Sequence, residues 1–167
     1  MRRVIGICLP LAIALASCGG GDSGSGDNST APDAPGKAAL IAKADKACFK
    51  ANRKVFRINV EIQELNKDRG GKRLASKAAP LYAKAQKVGA QVMTELRALK
   101  PPPADSAAYR AYLSAAQRQV SLVASTQRAL ERSDGKAVAA LSAKVATARQ
   151  RAQTLARGFG FKVCGVS

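Results

Sequence analysis

The sequence predicts an all-α protein, an up-down-up-down four-helix bundle, on three observations. Apolar residues recur at alternating steps of three and four along four successive stretches. The breaks between those stretches are short, which makes consecutive helices antiparallel neighbours. No internal repeat of the kind that builds a solenoid is present.

The first stretch starts at Lys37, where Ile41, Ala44, Cys48, Ala51, Val55, Ile58, Ile62 and Leu65 hold one helical seam without a polar interruption. Residues 66–71 break it, because Gly70-Gly71 does not favour a continuing helix. A second helix is expected over residues 72–99, with Leu74, Ala78, Leu81, Ala85, Val88, Val92, Leu96 and Leu99 on its stripe. Pro80 removes a backbone donor there, so the helix is kinked at that point or its regular part begins there; the unbroken phase of Leu74 and Ala78 favours the kink. Pro101-Pro102-Pro103 stops it, since a residue before proline avoids the helical region.

Asp105 is expected to cap a third helix that buries Tyr109, Leu113, Ala116, Val120, Val123 and Leu130, with Gln127 the polar entry on that side. Ser133-Asp134-Gly135 makes a tight connection, with Asp134 as the next cap. The fourth helix carries Val138, Leu141, Val145, Ala148, Ala152, Leu155 and Phe159, and Gly158 is placed to end it. Alanine dominates all four helices and there is no tryptophan, so the helices should pack closely on small side chains.

The chain is strongly basic, with a formal net charge of +17 from 28 Lys and Arg against 11 Asp and Glu. It contains no histidine, which removes the usual general base, the commonest metal ligand and a haem-ligating imidazole together. No cofactor and no metal are expected.

The N-terminus reads as an export signal. Arg2-Arg3 is followed by an apolar run from Val4 to Ala16, 13 residues that fall short of a bilayer span. Leu15-Ala16-Ser17-Cys18 then resembles the bacterial lipobox, in which the cysteine is acylated and becomes the first residue after cleavage. By that resemblance Cys18 carries the lipid, residues 1–17 are the signal peptide, and the protein is extracytoplasmic and anchored to the cell membrane. Ala14-Leu15-Ala16 also fits a plain A-x-A cleavage site, which would release a soluble protein. The Gly/Ser/Pro-rich residues after Cys18, up to residue 36, make sense as a flexible tether and favour the lipid. No strand precedes those glycines and no Lys-Ser/Thr follows them, so they are not a phosphate cradle. Loss of the two signal arginines leaves a mature charge of +15. Residues 37–167 form the helical domain.

Cys8 leaves with the signal and Cys18 takes the lipid, so Cys48 and Cys164 remain. In an exported protein such a pair reads as one disulfide. The topology agrees, because an up-down-up-down bundle places the start of helix one and the end of helix four together. One disulfide should therefore join helix one to the C-terminal tail; two buried thiols or a two-ligand metal site are the alternatives. Asp45-Lys46-Ala47-Cys48 and Gly160-Phe161-Lys162-Val163-Cys164 resemble the terminal signatures of small helical lipoproteins from high-GC Gram-positive bacteria. That resemblance implies the same fold and disulfide and brings no catalytic residue.

Catalytic arrangements are absent from the pattern. No nucleophile has a histidine base. Ser76-Lys77 and Ser142-Ala143-Lys144 are the local Ser-Lys pairings, and Glu61 with Glu64 the closest carboxylates on a helix; surface ion pairing explains the latter more simply. The expectation is a non-enzymatic protein. Its surface says more: the second helix bears Lys72, Arg73, Lys77, Lys84 and Lys87, and the fourth bears Lys136, Lys144, Arg149, Arg151 and Arg157. These basic residues are the candidate site for anionic envelope components, lipid headgroups or wall polymer. Few aromatics are interleaved with them, so nucleic acid is not expected. The alternative is a module for a protein partner or a small apolar ligand, bound in a groove opened by Pro80 or around Tyr82, Tyr109 and Tyr112.

Overall fold

Helix α1 spans Lys37–Lys67, α2 Gly71–Arg97, α3 Ser106–Glu131 and α4 Gly135–Phe159. They are seen in a computed structural model that describes residues 36–67 and 71–165, without the side chains of residues 66, 67 and 71–73. The expected signal peptide, Cys18, the tether as far as residue 35, the middle of the first break and the side chains of Lys72 and Arg73 lie outside the described residues. Helix α1 packs on α2, α2 on α3 and α3 on α4; α1 and α4 have no comparable interface among the described residues. The molecule is an all-α, up-down-up-down bundle.

Every seam position named from the sequence is buried or half-buried. The buried arc of each helix is wider than that seam, however, and takes in Leu40, Ala47, Ala79, Met93 and Ala156. A strict three-four stripe covers one neighbour; α2 and α3 meet two helices each, and α1 and α4 also meet the C-terminal segment around Phe161 and Cys164. Helix α2 runs through Pro80, which is exposed, so the reading in which α2 starts there does not hold. The carbonyl deprived of its donor belongs to Ser76, also on the exposed side.

The helix ends correct two further expectations. Asp105 makes no capping bond; it closes a 3₁₀ turn, Pro103–Asp105, and its carboxylate pairs with Lys37 at 2.8 Å instead. The side chain is thus committed to α1 before α3 begins. Gly158 does not end α4. Gly160 does, at φ +106°, with the Phe161 amide donating to the Ala156 carbonyl at 3.0 Å. This is a left-handed cap that only glycine adopts without strain, and a Cβ there would also stand 3.2 Å from Ile41. Asp134 does cap α4, accepting from the Ala137 amide at 3.0 Å.

The core is densest at one end of the bundle. Tyr109, Tyr112, Phe159 and Phe161 meet there, with ring centroids 4.8 to 6.4 Å apart, over Leu40, Met93 and Leu96. Tyr109 and Tyr112 are therefore core residues, and of the two Tyr112 also borders the central cavity described below. The Tyr109 hydroxyl donates to the Leu96 carbonyl at 2.6 Å, which ties α3 to the last turn of α2. A smaller cluster of Ala78, Ala79 and Leu130, with Tyr82 packed against it, closes the other end.

Burial pushes the Tyr109 phenol up to about 12, and pushes that of Tyr112 higher still, with smaller contributions from the charges of Tyr109 and Asp45. The sign follows from proton counting: between about pH 10 and 12 the unfolded chain loses phenolic protons that the folded chain keeps. Stability should be unaffected by these groups below pH 10 and fall progressively above it. Urea midpoints measured across that range should decline, and Tyr112→Phe should flatten the decline; an equal slope in the variant would refute the assignment.

The same end carries the covalent closure. Cys48 and Cys164 form a disulfide, S–S 2.04 Å, between α1 and the tail after α4. Asp45, one turn earlier on α1, accepts three tail amides, from Lys162 and Val163 at 2.9 Å and Cys164 at 3.1 Å. The Asn52 amide group adds a longer bond to the Val163 carbonyl, 3.4 Å, and Arg157 donates to the Gly165 carbonyl at 3.1 Å. The tail thus does the joining that α1 and α4 do not do themselves.

Candidate functional site

Two concave regions follow from this packing. The first lies between the two core clusters. Ala51, Val55, Ala85, Val88, Val92, Ala116, Val120 and Val123 are too small to fill the middle of the bundle, leaving a cavity of about 160 Å³. Gly89 allows α2 and α3 to approach at this level, where a Cβ would stand 2.9 Å from Val120. Asn52, Gln119, Arg149 and Gln153 supply the polar part of its lining, and the disulfide and Tyr112 border it at one end. The expectation of close packing on small side chains therefore holds at Gly89 and gives way to a cavity beside it.

The second region is a surface groove between α3 and α4, about 590 Å³. Ala111, Ser114, Leu122, Ala143, Thr147 and Leu155 line it, with Ala115 and Ala148 the buried members of the lining. Small side chains at steps of three and four keep the two helices' outer ridges low, so a trough remains. Arg118 of α3 and Lys144 and Arg151 of α4 border it, and no acidic residue lines it. Three guanidinium or ammonium groups along an acid-free trough favour a negatively charged occupant. The chain matches no family model, no curated protein and no solved structure. What this surface does must be read from its own chemistry.

Of the ten basic residues named from the sequence, the eight with described side chains do not converge on one place. Lys77, Lys84 and Lys87 are exposed on α2, which does not pack against α4, so they belong to another face. Lys84 also stands 3.8 Å from the Glu61 carboxylate on α1, which offsets part of its charge. On α4, Lys136 is exposed in the first turn, Arg149 turns to the central cavity, and Arg157 holds the tail. Only Lys144 and Arg151 share a groove, and their partner Arg118 is not among the residues named from the sequence. Its signal was the small-residue face of α3, Ala111, Ser114, Ala115 and Arg118, on the side away from the apolar seam.

The pairings considered for catalysis are engaged in structure. The Ser142 hydroxyl donates to the Val138 carbonyl of its own helix at 2.8 Å, and Glu61 faces Lys84. Among the described residues no three of Asp, Glu, Cys and His gather in a way that would hold a metal ion. No described helix is long and apolar enough to cross a membrane.

Proposed function

We propose that this chain is a lipid-anchored, extracytoplasmic and non-enzymatic bundle that binds an anionic polymer of the cell envelope in the groove between α3 and α4. The observation that carries the reading is the acid-free trough bordered by Arg118, Lys144 and Arg151. A linear polyanion fits a trough better than a flat patch would hold it, and the net charge of +15 left after loss of the two signal arginines draws such ligands from a distance. Anchoring rests on the lipobox-like Leu15-Ala16-Ser17-Cys18, with the lipid on Cys18. Two acyl chains suffice for stable attachment.

The test is titration of residues 37–167 with purified anionic wall polymer over a salt series. Binding should weaken steeply between 0.1 M salt, where screening extends about 10 Å, and 1 M, where it extends about 3 Å. Charge reversal at Arg118, Lys144 and Arg151 should lower affinity at least tenfold, roughly 1.4 kcal/mol or more. Equal reversal at Lys77, Lys84 and Lys87 should change it much less. If the α2 variant loses binding and the groove variant keeps it, the groove is the wrong site.

A second reading is favoured by the central cavity. A cavity of about 160 Å³ with a mostly apolar lining can take a small hydrophobic ligand, with Arg149 and Gln153 among its polar lining residues. A rise in melting temperature with such ligands, lost when Ala116→Leu fills the cavity, would move the function there.

A further inference from the structure

Helix α1 has an outward face that the bundle does not use. Phe49, Phe56 and Val60 are 54%, 69% and 41% exposed, and they are the large hydrophobic residues left exposed among those described. Spaced by seven and four residues, they fall on one line along the side of the helix opposite its buried seam. Beside that line runs a basic strip, Lys43, Lys46, Lys50, Arg53, Lys54 and Arg57, every member exposed. Arg53 lies over the Phe49 ring, 6.0 Å from its centroid. Of the acids on this helix, Asp45 is committed to the amides of the tail, and Glu61 and Glu64 follow the strip at the level of Val60, where Glu61 faces Lys84, so the positive charge is concentrated beside Phe49 and Phe56.

Helix α1 therefore has two apolar sides, one for the core and one on which, among the described residues, no other helix packs. We propose that this second side lies on an anionic lipid bilayer, with Phe49 and Phe56 entering the boundary between headgroups and acyl chains and the basic strip resting on the headgroups. Exposed aromatics alone do not choose an occupant; the charge beside them does. A second copy of the chain would bring two basic strips together, which repel. A hydrated polyanion satisfies the cations but offers the two rings no apolar partner. An anionic bilayer matches both halves of the face, as in helices that lie in the membrane interface.

The chain's own order agrees. Helix α1 begins at Lys37, 19 residues after Cys18, and is the helix nearest to it along the chain. The first helix is the one an anchored Cys18 would hold nearest the membrane. This inference rests on the envelope reading above, deepens it by naming the membrane-facing side, and leaves the α3–α4 groove for the polymer.

The chain contains no tryptophan, so a single substitution reports one place. Phe56→Trp puts the probe on the α1 face and Ala143→Trp puts it in the α3–α4 groove. Each full-length variant is placed on phosphatidylglycerol-containing vesicles and on phosphatidylcholine vesicles, both with brominated acyl chains, and attachment is read by co-sedimentation. Expected on the anionic vesicles are a blue shift and bromine quenching of the probe at position 56 and neither at 143. Both effects should be lost on neutral vesicles and when Lys50→Glu and Arg53→Glu are added. If the chain attaches and the probe at 56 stays solvent-like, the α1 inference is overturned while the groove reading stands. Equal quenching at both positions also overturns it. Failure to attach overturns it too, and the polymer titration then decides the envelope reading by itself.

Discussion

Replacing Cys48 and Cys164 together by alanine should lower the stability of the bundle by about 3 to 5 kcal/mol and its Tm by roughly 10 to 20 °C. The cysteines are 116 residues apart in sequence, so reduction frees nearly the whole folded chain. In the chain-entropy account the size of that loop sets the magnitude. The effect should be larger than the loop term alone would give if α1 and α4 also part, because they have no broad interface of their own among the described residues. Urea unfolding of the oxidised protein and of the double alanine variant measures this directly. A difference below about 1 kcal/mol would mean that Asp45 and the aromatic cluster hold the tail without the disulfide.

The second large effect is expected at Asp45. Its two carboxylate oxygens take the amides of Lys162, Val163 and Cys164, so a single side chain on α1 shapes the turn that presents Cys164. Asp45→Ala should cost about 2 to 3 kcal/mol, the range for losing charge-assisted hydrogen bonds to amides that water can partly reach. Asp45→Asn should recover part of it through its remaining carbonyl oxygen. Because Asp45 and the disulfide constrain the same short segment, Lys162 to Cys164, their effects should not add. A double-mutant cycle should show a coupling above about 0.5 kcal/mol. Strict additivity would mean that the carboxylate and the disulfide act on separate parts of the tail.

The seams were legible because apolar spacing reports which side of a helix avoids water. Cys48 and Cys164 were legible because helix number and direction place the two ends of the bundle together. The Asp134 cap was legible as a local arrangement that needs nothing from elsewhere. Asp105 looked the same in sequence, but its carboxylate had a distant partner in Lys37, and sequence spacing does not show which of two acceptable partners wins. Gly158 and Gly160 posed a similar choice. The left-handed turn fell at Gly160, where the chain must reverse so that Phe161 can join the aromatic cluster.

The candidate site was less legible for a geometric reason. A groove takes one wall from each of two helices, and spacing along either helix says nothing about the other's register. Lys144 and Arg151 stand out on α4 alone, whereas Arg118 lies on the side of α3 away from its apolar seam, where spacing gives no signal. The same holds for Phe49 and Phe56: the seam accounts for α1 without them, and only their exposure marks that face.

The Cys48–Cys164 closure has a consequence outside equilibrium stability. Three of the four helices, and the larger part of the first from Cys48 onward, lie within one covalent ring. A protease that cuts any single peptide bond between these cysteines, for instance in the exposed connection at Ser133-Asp134-Gly135, opens the ring without dividing the molecule. Both pieces stay linked through sulfur, and whatever holds the amino-terminal piece holds the other as well. A nicked molecule of this design stays where it is until its disulfide is reduced.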